Sequence, residues 1–391
     1  MLRLRLAVAL LLVPVLAGAS AAAPGGSKAR TSRERSVAPA VFRERVTASG
    51  GERYSAWFAD RDRTTLYFGL SPFWHLWWAT GGDARTDLET PGEHWIGRFS
   101  LTRERFLPPL RVSRASGHSR GSVWDVLVHS NGRIYYTTLF EEIGSVDPDG
   151  SRLAHFPGLG IGWNELAEGP RGHVYVTRYS DAPANPDHQH FGGLAILSAD
   201  GKLLRERRFP RTPERFTAPK SLAVGPKGSV WLNTDTFVEG GEILHERIHL
   251  APDGRVLERT SAGPELLLPA FDRRGRAWLI EDAGGALQLR IATGEQLGPP
   301  VPLGPREPLD VVQDLRFTSR GVALLALWSG RVIEVEPEPA GTFRVRRFRI
   351  ERPPDCRPPG GRSVLYTAVP YAKWIYVTLF CDATVLRFPL E

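Results

Sequence analysis

A strand–turn–strand phrase recurs along the chain and limits the folds that the chain can adopt. It reads LAVGPKGSVWLN at 222–233, LAEGPRGHVYVT at 166–177 and VLVHSNGRIYYT at 126–137. Each copy has an apolar run, a turn built on residues such as Gly, Pro, Ser and Asn, and a second run of β-type residues. Most copies continue into a third strand and a hairpin turn such as PDG. Each copy therefore predicts about four short strands and no helix between them.

One position in the second run has the same register in seven copies. Its residues are Tyr67, Tyr135, Tyr175, Trp231, Trp278, Leu324 and Tyr376. Successive members are 68, 40, 56, 47, 46 and 52 residues apart. Four strands at a period of about 40–50 residues are typical of one β-propeller blade. The sequence therefore predicts an all-β, seven-bladed propeller over 40–391, with Trp231 and Trp278 in the core between blades.

The last copy supplies only three strands, and an N-terminal segment can supply the fourth. Residues 40–48, AVFRERVTA, alternate between apolar and polar side chains as a strand does. Because a closed ring removes the open edges of the sheets, we predict that this segment completes the last blade. The other arrangement, an open solenoid, would need a cap at each end.

The first residues have the composition of a secretory signal peptide. A basic start precedes the apolar run 6–17, and an A-x-A cleavage site lies at 19–21. The run is shorter than the roughly 20 apolar residues of a membrane span. We predict a signal peptide over 1–21, a disordered leader over 22–39, and export to the periplasm or beyond the cell.

Charge, motifs and cysteines exclude several classes of function. The formal net charge is +7, but the arginines are scattered, so nucleic acid is not an expected partner. The sequence has no P-loop, dinucleotide fingerprint, G-x-S-x-G or C-x-x-C motif, which removes the commonest nucleotide, serine-hydrolase and redox functions. In an exported chain, the pair Cys356 and Cys381 predicts one disulfide.

Acidic residues recur where a propeller opens its central channel, because the first strand of each blade lines that channel. Ten residues before each repeated position stand Trp57, Asp125, Glu165, Ser221, Leu268, Asp314 and Tyr366. The ends of the second strands, on the same face, carry Glu141, Glu142, Asp235, Glu281 and Asp282. Carboxylate oxygens suit Ca²⁺ or Mg²⁺, so Asp125, Glu165 and Asp314 are a candidate metal site. The alternative is that each carboxylate caps a loop amide or pairs with an arginine.

Two insertions lie on the same face of the predicted propeller. Residues 71–95 contain Trp74, Trp77, Trp78 and Trp95, which either pack on the disc or form an aromatic platform for sugar rings and apolar ligands. Residues 180–193 contain His188 and His190, which either bind a metal or are solvated loop side chains.

The phrases LAVGPKGSVWL at 222–232 and YYTTLFEEIGSVDPDG at 135–150 resemble the NHL-type repeat. The chain from 40 to 391 is similar to the propellers of the virginiamycin B lyase (streptogramin lyase) group, and more distantly to the SMP-30/gluconolactonase family. The resemblance implies a propeller fold. The lyase group uses a histidine and a Mg²⁺-bound glutamate, whereas none of the seven channel positions here is a histidine.

The more distant resemblance implies a metal site. In GWNELAEG, residues 162–169, Asn164 resembles the metal-binding asparagine of the SMP-30 family, and Glu165 and Asp314 match its glutamate and aspartate by type.

Two functions of different classes follow from these features. The first is an exported, monomeric propeller that binds a small molecule, a glycan or an envelope protein at the channel face. The residues proposed to bind the ligand are Asp125, Asn164, Glu165, Asp314, Tyr366, Trp74, Trp77 and Trp78. The alternative is a divalent-metal-dependent lyase or lactonase/hydrolase that uses the channel carboxylates on that face.

Overall fold

The computed structural model describes residues 29–44, 55–71, 94–112, 123–138, 143–156, 163–178, 191–210, 212, 215–238, 243–262, 270–293, 296–307, 310–351, 353, 365–380 and 383–390. The strands in these residues form seven separate sheets. The predicted all-β, seven-bladed propeller is confirmed. Within the described ranges, no helix has the length and apolar character needed to span a membrane.

Three short strands come first along the chain and join the last two blades. They are β1 (Ala29–Thr31), β2 (Arg35–Val37) and β3 (Ala40–Glu44).

Blades 1 to 4 each consist of four antiparallel strands in chain order. Blade 1 contains β4 (Ser55–Arg61), β5 (Thr65–Ser71), β6 (Trp95–Ser100) and β7 (Arg105–Arg111). Blade 2 contains β8 (Val123–Val128), β9 (Ile134–Thr138), β10 (Ile143–Val146) and β11 (Ala154–His155). Blade 3 contains β12 (Trp163–Glu168), β13 (Val174–Arg178), β14 (Phe191–Leu197) and β15 (Leu203–Pro210). Blade 4 contains β16 (Arg215–Val224), β17 (Val230–Val238), β18 (Ile243–Leu250) and β19 (Val256–Ala262).

Blades 5 to 7 complete the ring. Blade 5 contains β20 (Ala270–Phe271), β21 (Ala277–Asp282), β22 (Ala286–Thr293), β23 (Gln296–Leu297) and β24 (Val301–Pro305), the last two both pairing with β22. Blade 6 contains β25 (Val312–Phe317), β26 (Ala323–Leu327), β27 (Arg331–Pro337) and β28 (Phe343–Ile350). Blade 7 contains β29 (Leu365–Tyr371), β30 (Trp374–Phe380) and β31 (Ala383–Pro389). Neighbouring first strands contact one another, as β4 does with β8 and β29, so they form the inner ring.

The fourth strand of blade 7 comes from the other end of the chain. Strand β3 pairs antiparallel with β31, with Val41 opposite Leu386. The half-buried ring of Phe42 lies 5.1 Å from that of Phe99 in blade 1. The predicted closure by an N-terminal strand is therefore confirmed. Closure protects the edge of β31, which would otherwise be open to another chain.

Residues 29–37 differ from the disordered leader predicted over 22–39. Strands β1 and β2 run parallel to β28 and extend the outer edge of blade 6. Between them, Glu34 accepts hydrogen bonds from Arg331 Nε at 2.7 Å and Arg349 Nε at 2.9 Å. Composition suggested disorder, but the partners of this carboxylate lie about 300 residues away, where the sequence pattern cannot show them. Residues 22–28 lie outside the described residues.

The seven repeated positions lie in the second strands, and all are buried, with exposed fractions between 0% and 8%. They are Tyr67, Tyr135, Tyr175, Trp231, Trp278, Leu324 and Tyr376. The predicted place of Trp231 and Trp278 in the core is confirmed. Burying such side chains contributes about 1.5–3 kcal/mol each, so the repeat is the packing signal of the propeller.

The turn in the repeated strand–turn–strand phrase requires a glycine. The backbone N–H of Gly228 donates to the carbonyl of Gly225 at 2.8 Å, and Gly228 has a φ of 85°. Glycine adopts this left-handed conformation at little cost, whereas residues with a Cβ are strained there. This turn reverses the chain between β16 and β17.

Candidate functional site

The inner strands change register close to the predicted site residues. In six of the seven blades the pairing of the first and second strands shifts by a bulge, for example between Val123 and Asp125 in blade 2 and between Val312 and Asp314 in blade 6. A bulge re-aims side chains and backbone groups locally. In this ring it allows an inner strand to bond to the next blade.

Side chains of the inner strands hold neighbouring blades together by hydrogen bonds to the backbone. In each case a carboxylate oxygen accepts from an N–H of the following blade: Asp60 from Val128 at 2.8 Å, Asp125 from Leu166 at 2.8 Å, and Glu165 from Leu222 at 3.3 Å. Asn164 makes the same kind of connection by donating from Nδ2 to the Lys220 carbonyl at 2.6 Å. The sequence offered loop amides as partners for these carboxylates, whereas Asp125 and Glu165 accept from N–H groups within the strands β12 and β16.

Arg316 lies between two of the channel carboxylates. Its Nε donates to Asp314 at 2.7 Å and its Nη1 donates to Asp60 at 2.9 Å. Although burial opposes its charge, these two carboxylates raise the pKa of Arg316 above its ordinary value. Burial raises the pKa of Asp314 despite this arginine. We call Asp60, Asp125, Glu165, Asp314 and Arg316 the channel cluster.

Two members of the channel cluster, Asp125 and Glu165, form no ion pair with a residue that the structure describes. Burial raises the pKa of Asp125 to about 7, although two backbone N–H groups donate to it and the charge of Arg316 opposes the rise. Burial, together with the charges of Asp125 and Asp314, raises the pKa of Glu165 well above its ordinary value. Asp125 can therefore take up or release a proton near neutral pH, and a positive charge beside the pair would favour the ionised form of both carboxyl groups.

The channel cluster does not fit the Ca²⁺ or Mg²⁺ implied by the resemblance. Among the described residues, no three His, Cys, Asp or Glu side chains are arranged to hold a metal ion. Both oxygens of Asp125 accept backbone hydrogen bonds, at 2.8 Å each, and an oxygen of Asp314 is bound by Arg316. Oxygens committed in this way are poor ligands for a hard cation that needs six or more donors.

A second polar group lies on blade 4, whose first two strands are longer than those of the other blades. Asp235 lies 2.7 Å from His245 Nδ1 and 2.6 Å from Lys220 Nζ. Although burial opposes ionisation, the hydrogen bond with His245 and the charge of Lys220 hold the pKa of Asp235 below its usual range. Asp235 thereby connects the second strand of blade 4 to Lys220 of the first strand and His245 of the third.

The sequence pattern did not single out His245, because site histidines were sought at the channel positions and in the insertion 180–193. Its strand, β18, pairs with β17 so that His245 stands opposite Asp235. Residues directly opposite in an antiparallel pair share one face. The sequence did contain a usable signal, because His245 lies in the third strand of blade 4 at the position that pairs with Asp235 in the second strand.

The remaining candidate site residues from the sequence analysis either lie elsewhere in the ring or fall outside the described residues. Trp57 is buried and its ring lies 4.4 Å from that of Trp124, so it belongs to the packing between blades 1 and 2. Glu281 and Asp282 pair with Arg290 and Arg306 in blade 5. The structure describes Tyr366 only as part of β29 and not its side chain. The remaining positions lie outside the described residues: Trp74, Trp77, Trp78, Glu141, Glu142, His188, His190, Leu268, Cys356 and Cys381.

Comparison with known proteins shows the fold. No family model and no curated protein matches this sequence. Among solved structures, virginiamycin B lyase from Staphylococcus aureus is 12% identical, with a TM-score of 0.54, over 90% of this chain and 100% of that one. A catalytically inactive form of that enzyme with quinupristin gives the same values. The chain has a virginiamycin B lyase-like propeller fold. The resemblance seen in the repeat is thereby confirmed at the level of the fold.

Two other solved structures with a similar fold come from proteins of different kinds. YCF48 bound to the D1 peptide is 12% identical, with a TM-score of 0.50, over 94% of this chain and 98% of that one. The extracellular domain of a hybrid two-component system from B. thetaiotaomicron is 11% identical, with a TM-score of 0.53. That match covers 85% of this chain and 39% of the other. At such identities the likeness concerns architecture, and function must be argued from the site.

Proposed function

We propose that this chain is an exported, monomeric binding propeller whose channel cluster receives the cationic group of a small ligand. The observation that carries the proposal is the pair Asp125 and Glu165, two carboxyl groups with raised pKa values and no ion pair among the described residues. A guanidinium or ammonium group placed between them would favour their ionised forms and remove their mutual repulsion. The signal-like residues 1–21 support export.

The channel cluster also indicates where the positive charge of the ligand would lie. Arg316 carries a single positive charge and pairs with both Asp60 and Asp314, so Asp125 and Glu165 are the carboxyl groups of the cluster that have no ion pair among the described residues. A planar guanidinium matches carboxylates with paired hydrogen bonds, which makes it a well-suited group. Similar propellers have been solved with quinupristin and with the D1 peptide, so the architecture accepts bound ligands. The metal-dependent alternative has no comparable support, because the donor set does not fit a metal.

The test is calorimetric titration with methylguanidinium and with methylurea, its neutral counterpart of nearly the same shape. We expect methylguanidinium to bind more tightly, and to release protons at pH 7 because binding ionises groups whose pKa is raised. Proton release is measured by repeating the titration in buffers of different ionisation enthalpy. Glu165→Gln should weaken binding by roughly tenfold and reduce the proton release, because it removes one charge and retains the acceptor for Leu222.

The control variant is Glu258→Gln, an exposed carboxylate on the outer strand β19, which should bind as the unsubstituted protein does. Equal binding of methylguanidinium and methylurea would refute the proposal. The proposal of an organic cation would also be wrong if Mg²⁺ or Ca²⁺ bound more tightly than methylguanidinium and Glu165→Gln abolished that binding. This result would favour the metal-dependent alternative.

A further inference from the structure

A basic cavity lies at the outer edge of blade 6, remote from the channel. Its volume is about 320 Å³, and it forms where the N-terminal segment 29–37 crosses β28. The lining residues from the segment are Arg30, Thr31, Ser32 and Arg35. Those from blade 6 are Arg344, Arg346, Arg347 and Phe348. Five of these eight residues are arginines, so the cavity gathers positive charge from two distant parts of the chain.

The carboxylates near the cavity balance only part of this charge. Arg344 pairs with Glu338 at 2.7 Å, and Arg346 pairs with Glu334 at 2.5 Å and with Glu336 at 3.0 Å, so three carboxylates face five arginines. Arg30 stands opposite Arg344 in the parallel pairing, and it makes no hydrogen bond or ion pair with any residue in the described part of the chain.

Arg347 is only partly satisfied, and the nearest carboxylate of the segment is committed elsewhere. Arg347 donates to the neutral carbonyl of Ser32 at 2.8 Å, while its buried Nε has no hydrogen-bond partner in the described structure. Glu34 is bound by Arg331 and Arg349. The segment therefore brings guanidinium groups to this cavity without a carboxylate of its own to neutralise them.

We infer that the cavity binds a small oxyanion, a phosphate or carboxylate group, between the N-terminal segment and blade 6. Guanidinium groups present parallel N–H donors that match the oxygens of phosphate and carboxylate. An anion here contacts Arg30 on one side and Arg344 or Arg347 on the other, and so joins β1 to β28. Binding therefore also holds the segment against the propeller, a role independent of the channel cluster.

The affinity is measured by calorimetric titration of the full mature chain with inorganic phosphate and with succinate, at ionic strength held constant with chloride. Saturable binding of one anion per chain supports the inference, and the preferred probe distinguishes a phosphate ligand from a carboxylate one. Binding of neither probe at constant ionic strength would overturn it, because the cavity would then hold no oxyanion site.

Two matched variants separate a built site from general positive charge. Arg30→Ala should weaken binding by roughly tenfold, because it removes one of the paired donors. Arg33→Ala removes an exposed arginine of the same segment that does not line the cavity, so affinity should stay unchanged. If the two substitutions weaken binding equally, the effect is general electrostatic attraction and the inference is wrong.

A second readout follows the segment itself. Trypsin cleaves after arginine, and the segment carries Arg30, Arg33 and Arg35. The bound probe should slow cleavage within 29–37 in the unsubstituted protein and in Arg33→Ala, but not in Arg30→Lys, which keeps the charge and loses the forked donor. Equal protection of all three proteins would contradict the proposed geometry.

Discussion

The raised pKa of Asp125 predicts that the protein loses stability as the pH rises. The pKa is about 7 in the folded state, against an ordinary value of 3.8. Between these values the folded protein retains a proton that the unfolded chain has released. The free energy of unfolding therefore falls as pH rises through this interval and levels off above the folded pKa. The substitution Asp125→Asn removes the titrating group and keeps one acceptor, for the N–H of either Leu166 or Val126. The loss of the other hydrogen bond is an offset that does not depend on pH.

The magnitude follows from the gap between the two pKa values. A gap of about 3 pKa units corresponds to about 4 kcal/mol of unfolding free energy at 1.36 kcal/mol per unit. Because the side chain is only partly shielded from the solvent in the channel, we expect a smaller effect of about 1–2 kcal/mol. The Asn variant should thus gain about 1–2 kcal/mol relative to the unsubstituted protein between pH 4.5 and pH 8.

The assay is urea unfolding of both proteins at a series of pH values and constant ionic strength. The informative quantity is the difference between their unfolding free energies, since groups away from Asp125 titrate equally in both proteins. Glu165 contributes to the difference, because the charge of Asp125 raises its pKa only in the unsubstituted protein. Asp253→Asn, which changes an exposed aspartate in the turn after β18, is the control and should show no pH-dependent difference. A difference that stays constant from pH 4.5 to pH 8, or one that favours the unsubstituted protein as pH rises, would refute the reasoning.

Two further predictions concern the ends of the chain. Deleting residues 1–44 should lower the thermal midpoint and cause aggregation, because it opens the edge of β31, whereas deleting 1–38 removes β1 and β2 and should cost less. Equal melting and elution of the two truncations would contradict the closing role of β3. Mass spectrometry of the exported protein should find a chain that starts at residue 22 and is two hydrogens lighter than the thiol form, since Cys356 and Cys381 are predicted to be bonded. Detection of two free thiols would refute the predicted disulfide.

The fold could be predicted because its main stabilising feature repeats in the sequence. Residues such as Tyr135 and Trp278 fill the same position between successive sheets, so burial imposes an apolar side chain at a regular period. Closure by β3 could be predicted because the last blade was one strand short. The docking of β1 and β2 could not, since it depends on the ion pairs of Glu34 with arginines far along the chain.

The candidate site was only partly predictable because the bulges alter what a position contacts. The position ten residues before Tyr67 is Trp57, yet Asp60 is the residue of β4 that joins the channel cluster. Arg316 carried a usable signal, because it follows Asp314 by two residues and side chains two apart share a face of a strand. The backbone partners of Asp125 and Glu165 could not be predicted from the sequence, because any residue except proline supplies an N–H.

The hydrogen bonds that join neighbouring blades do not require charged side chains. The presence of carboxyl groups in the channel therefore needs another explanation. Thr367 accepts the N–H of Ala59 at 3.1 Å, and Asn164 bonds to the next blade with a neutral amide. Asp125 and Glu165 make the same kind of joint with groups whose ionisation burial opposes. A neutral side chain at either position would join the blades without that cost at neutral pH. The structural role therefore explains an acceptor at these positions but not a carboxyl group, and the cationic ligand that we propose would account for the carboxyl group.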